Sequence, residues 1–245
     1  MSKKQSLDLK LAQIYPYQLG TFSDSIKALK DANATPLEIS QVITAIGLLG
    51  NDEVQKRKLN LGGWVPQEVL YTKEKKDAIM MHFLNNNYSF VFSNPEQAYK
   101  NLQDKRWHII TDPNTVSKIK RSKSLLHVLF DDIDFDEDNK IIYFDPDKPA
   151  GENTVKGKIQ RNYYGKDEET FKDNCKTLIT YYDTKRKIIL SSKDEIYKGF
   201  KEYPEAIGIS KACWLRGVVG NSDVNAGAHL GGDLGLVFGI AQQKQ

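Results

Sequence analysis

The last thirty residues constrain the fold most tightly. From Lys211 to Ala241 the chain has the character of β-strand, yet the stretch DVNAGAHLGGDLGLVFGI (223–240) holds five glycines. Glycine weakens a strand, so this density signals bulges, a bent sheet, or close approach of another backbone or a ligand. In an unbroken strand His229 and Asp233 face the same way, two pleats apart. Glycines 227, 231, 232 and 235 permit a bend that brings the two side chains together. A histidine oriented by a carboxylate is a general-base or electrostatic device. The same pair also serves structurally at a sheet corner.

The rest of the chain sets this stretch in an α+β frame. SDSIKALKDAN (23–33) and TPLEISQVITAIGLLG (35–50) carry cap residues followed by apolar stripes at helical spacing. The reading continues with a loop at LGGWVP (61–66), a helix over 72–87, a strand over 88–93 and a helix over 94–104. Beyond that, short turns between apolar runs predict strands over 106–112, 124–146, 154–165 and 176–192, interrupted by a short helix near 194–204. Two long glycine-interrupted strands close the chain. The expectation is one domain, 1–245: a mainly helical part (1–105), then a large, strongly curved antiparallel sheet (106–245), antiparallel because short turns join the strands.

Several functions lose their usual signatures. No P-loop, strand-linked GxGxxG, GxSxG or HExxH is present. Cys175 and Cys213 fit no zinc pattern, and the four histidines stand singly in the sequence, so neither a metal nor another cofactor is expected. Asp132, Asp134 and Asp136 match the start of an EF-hand loop, which fails at Glu137 and Tyr143. Pro146-Asp147 with Asp183-Thr184-Lys185 is a weak echo of a metal-dependent nuclease. No apolar run is long enough to span a membrane and no secretory signal is visible, which with free thiols points to the cytoplasm.

The formal charge of +3 is unevenly spread, and two basic segments flank the acidic run DDIDFDED. Read as a strand, VKGKIQRNYYGK places Lys156, Lys158 and Gln160 on one face, with Arg161 beside them. Lysine and arginine neutralise phosphates, glutamine reads a base edge, and tyrosine stacks. Trp214 and Arg216 share one face of the penultimate strand, as a stacking and phosphate-binding pair or as a cation–π contact within the fold. An ordinary lysine-rich sheet face accounts for the first pattern equally well.

In size, element order, His229 and Asp233 near the C-terminus, basic strands and the absence of a nuclease metal motif, the chain resembles the PabI-type restriction DNA glycosylases, which are built on a curved half-pipe sheet. The resemblance implies a homodimer clamping double-stranded DNA at a short palindrome. It implies a flipped purine, excised without metal or cofactor, and an abasic site that is then cleaved. His229 and Asp233 would activate water. A tyrosine, Tyr71 or Tyr88, would hold the base or sugar. Lys156, Lys158, Gln160, Arg161, Trp214 and Arg216 would bind DNA. The alternatives are a non-enzymatic phage or secretion-system structural protein and a metal-dependent restriction nuclease.

Overall fold

Local signals start most of the helices. The computed structural model describes residues 14–16, 22–48, 63–97, 107–137, 140–181, 186–218, 221–225 and 237–241. In chain order these form β1 (Ile14–Pro16), α1 (Phe22–Asp31), β2 (Ala34–Pro36), α2 (Ile39–Leu48), β3 (Gly63–Lys73), β4 (Ile79–Leu84), α3 (Phe90–Ser93), β5 (His108–Ile110) and α4 (Pro113–Lys120). There follow β6 (Leu126–Leu129), β7 (Ile141–Phe144), α5 (Val155–Tyr164), α6 (Glu168–Tyr181), β8 (Arg186–Ile189), α7 (Lys193–Glu202), β9 (Gly208–Val218), β10 (Asn221–Asn225) and β11 (Phe238–Ala241). Asp112 caps α4, accepting from the N–H groups of Asn114 and Thr115 at 3.1 Å, with Pro113 at the first helical position. Ser192 and Glu195 form a reciprocal capping box on α7.

The large sheet has the order β6-β4-β3-β9-β10-β8-β7, with β5 pairing the start of β9. The run β6-β4-β3-β9-β10 is antiparallel throughout, whereas β10 and β8 are parallel. A small antiparallel sheet, β1-β11-β2, touches the large one through a bridge between Trp64 and Val237. Helices and strands interleave along the chain, in place of the expected helices-first order.

The large sheet is buried on both faces. One face of β3, β4 and β9 carries Val65, Val69, Tyr71, Met81, Phe83, Ile209 and Cys213. They pack against α2, α5, α6 and α7. On the other face, Leu70 and Leu84 meet Ile110, Val116, Ile119 and Leu125. Trp64 and Ala212 meet Phe22, Ile26, Leu29, Val91 and Phe92. Two-sided burial erases the polar–apolar alternation that marks a half-exposed strand. For this reason β3 begins at Gly63, within the expected loop, and 79–84 is strand where a helix was expected.

Three further segments correct the sequence reading. Residues 154–165 are helix α5, not a strand: the Thr154 hydroxyl accepts from Gly157 N–H at 3.0 Å, and Gly165 (φ 147°) ends the helix where a side chain would be strained. Residues 168–181 are helix α6, whose buried Phe171, Asn174, Cys175 and Leu178 fall at helical spacing. The expected strand at 88–93 is the short helix α3, capped by Ser89.

Candidate functional site

Strand register assembles what the sequence keeps apart. His127 pairs with His82, His82 with Leu70, Leu70 with Ser210, and Ser210 with His108. One cross-strand row on the second face therefore carries three of the chain's four histidines, and Glu68 and Thr72 flank it two positions either way along β3. The histidines stand singly only in sequence. In the fold His82 Nδ1 lies 2.7 Å from His127 Nδ1, and no local motif foretells that contact across 45 residues.

Glu68 is the most perturbed carboxyl of the row. It is completely buried beside the bulge in β3 between Val65 and Glu68. It accepts hydrogen bonds from the Ser89 hydroxyl, from Val91 N–H (2.8 Å) and from the Ser210 hydroxyl (2.8 Å). Those donors favour the ionised form, but burial outweighs them and pushes the carboxyl up to about 7. Burial, with His127 and Lys120 nearby, drives His82 down to about 3, so its imidazole is neutral. His108 is also lowered by burial; it stacks on Phe90 at 5.4 Å, and its Nδ1 has no partner among the described residues. Only His82 and His127 of these groups are joined by a direct hydrogen bond. Glu68 and His82 are fully buried, whereas His108 and His127 are only partly so.

The residues expected to act on DNA are not brought together. Tyr71 is fully buried on the first face; its hydroxyl oxygen accepts from Ser191 N–H at 3.2 Å, and burial pushes the phenol well up. Tyr88 is half-buried against Leu70 and Leu84, on the opposite face of the sheet. Tyr71→Phe should cost about 1–2 kcal/mol, because it leaves a buried N–H without its acceptor. A urea unfolding curve measures that loss.

On α5, Lys156 pairs with Asp136 at 2.8 Å, and Arg161 with Glu168 at 2.7 Å while stacking on Phe171 at 4.4 Å. Gln160 is buried, accepting from Ala150 N–H and donating to the Tyr143 carbonyl. Only Lys158 of these four is exposed. The helix thus disperses a set that a strand would have aligned. Trp214 is half-buried, edge-on to Trp64 at 4.8 Å. Arg216 lies in β9 opposite Asp223, but its side chain, like the whole of His229 and Asp233, is outside the described residues. Asp136 serves its own turn by accepting from Tyr143 N–H at 2.8 Å. Among the described residues no group of three or more histidines, cysteines and carboxylates could hold a metal ion. Among them, too, no helix is long and apolar enough to cross a membrane.

No family model and no curated protein matches the chain. Among solved structures the chain is similar to one described as "Accommodation of massive sequence variation in Nanoarchaeota by the C-type lectin fold". The TM-score is 0.59 at 11% identity, over 94% of this chain and 97% of that one. This likeness overturns the resemblance to the half-pipe glycosylases. At so low an identity it speaks for the fold alone: an α+β chain with the architecture of a C-type lectin fold.

Proposed function

We propose that the chain is a non-enzymatic recognition module, which binds a protein partner through the connection between β10 and β11. The observation that carries this reading is the contrast between that connection and its frame. β10 is held between β9 and β8, and β11 between β1 and β2. The twelve residues between them, AGAHLGGDLGLV, contain four glycines, one histidine and one aspartate. A connection whose two ends are fixed by sheets is free to vary in sequence and to carry binding groups. Its neighbour in fold is described as accommodating massive sequence variation, the property a display frame needs.

Charge selects the class of partner. From Gly217 to Ala241 the chain has no lysine or arginine and has two aspartates. Nucleic acid is bound chiefly through cations that neutralise phosphates. This segment therefore suits a neutral or basic protein surface, met by hydrogen bonds. Base excision loses the resemblance that carried it. The protein incubated with labelled mixed-sequence duplex DNA in EDTA should release no free base and show no salt-dependent binding. Release of a purine, or binding that falls steeply with salt, would contradict the recognition reading.

A further inference from the structure

The histidine pair belongs to a chain of hydrogen bonds that the backbone from Lys120 to Ser122 closes into a ring. Lys120 Nζ, at the end of α4, and the Thr72 hydroxyl both donate to Glu74 Oε1, Thr72 at 3.0 Å. His82 Nε2 lies 2.9 Å from Thr72 Oγ1, and His82 Nδ1 lies 2.7 Å from His127 Nδ1. His127 Nε2 lies 2.8 Å from the carbonyl oxygen of Ser122, two residues beyond Lys120. The ring thus ties β3, β4, the edge strand β6 and the turn after α4 together.

Proton counting decides its state. From Glu74 through Thr72, His82 and His127 to Ser122 there are four hydrogen bonds, and both end groups only accept. Four bonds require four protons, but a threonine hydroxyl and two neutral imidazoles supply three. Thr72 donates to Glu74, so His82 must donate through Nε2, and its Nδ1 is then an acceptor. His127 must donate through Nδ1 to His82 and through Nε2 to Ser122. His82 is nearly fully buried and His127 only partly, so the extra proton sits on the ring nearer to water.

We propose that the His82–His127 pair is a one-proton switch: the ring is closed when His127 carries both of its protons, and it opens at one of its bonds when rising pH removes one. With that proton gone, two nitrogen lone pairs face each other, or His127 keeps its Nδ1 proton and loses its bond to the Ser122 carbonyl; in both arrangements β6 loses a tie. A tautomer change at His82 instead keeps the two histidines bonded and leaves the Thr72–Glu74 bond without its proton. The charged groups around the pair are Glu74 beyond β3, which favours the proton, and Lys120 on α4, which opposes it. Lys166 beyond α5 reaches the Ser124 carbonyl, three residues before His127, at 3.4 Å. The proton leaves to solvent, and no other reactant is involved.

Nitrogen-15 NMR of the histidine rings from pH 5 to 8, with amide exchange of β6 followed in parallel, tests the switch. At low pH His127 should show two protonated ring nitrogens, and His82 should be neutral with its proton on Nε2. As pH rises, His127 should gain an unprotonated nitrogen while β6 loses at least tenfold in protection, after correction for intrinsic exchange. His127→Gln should abolish that step. A neutral His127 at pH 5 overturns the proposal even if the variant does not fold. An unchanged step in His127→Gln overturns it too.

Discussion

Glu68→Ala should destabilise the protein by about 4 kcal/mol at pH 5. The substitution leaves the Ser89 and Ser210 hydroxyls and Val91 N–H without their common acceptor, and it opens a cavity beside the bulge in β3. The loss should depend on pH, and the sign follows from linkage. Glu68 titrates at about 7 in the folded chain, against 4.5 as its ordinary value. Between those values the folded chain holds a proton that the unfolded chain releases, so unfolding releases protons and rising pH favours it. The contribution of Glu68 to stability is fully present below 4.5 and is lost as pH rises through 7, a fall of roughly 2.5 kcal/mol between pH 5 and pH 8. The penalty of Glu68→Ala should shrink by about that amount at pH 8, because the alanine variant no longer buries a charge. Glu68→Gln, which mimics the neutral carboxyl, should flatten the slope. Urea unfolding of the three proteins at the two pH values measures all of this. A Glu68→Ala penalty that grows toward pH 8 would show that the carboxylate is ionised and stabilising in the fold.

Gly157→Ala should destabilise by about 3 kcal/mol, although alanine is the better helix former by about 1 kcal/mol. A Cβ at this position would stand 2.0 Å from the carbonyl oxygen of Gly151 and 3.0 Å from that of Ala150. These are backbone atoms, and they cannot move alone. Gly151 O also accepts from Thr154 N–H and from the Thr154 hydroxyl, and Ala150 N–H is held by Gln160. Making room for the methyl breaks the cap of α5 and the bonds that seat its start. The measurement is again the unfolding midpoint. A stabilised variant would mean that the 150–154 loop does not lie against α5.

The sequence is most readable where one face of an element meets water. The cap and stripe over 35–50 and the short helix expected near 194–204 fall within a few residues of α2 and α7, whereas α4 was not anticipated. The central strands β3 and β4 are less readable, because Val69, Leu70, Tyr71, Met81, Phe83 and Leu84 are all buried and leave no period to detect. In α5, alternating lysines imitated a strand, while Thr154 and Gly165 held the helical boundaries. In α6 the signal was available in the spacing of Phe171, Asn174, Cys175 and Leu178. The polar row is different in kind. His82 and His127 come together through the pairing of β4 with β6, and Glu68 and Ser210 through β3 with β9. Those contacts follow from tertiary register and have no local signature. The stretch that first suggested catalysis, His229 to Asp233, lies outside the described residues.

In the proposed recognition module, two sheets form a frame that does not depend on the connection between β10 and β11. The most direct measurement replaces residues 226–235 with a Gly/Ser linker of the same length and follows thermal unfolding. The frame reading predicts a cooperative transition with its midpoint within about 4 °C of the parent, corresponding to a change near 1 kcal/mol. Loss of the cooperative transition, or failure to fold, would contradict it and make His229, Asp233 and their glycines part of the structure that holds the two sheets together.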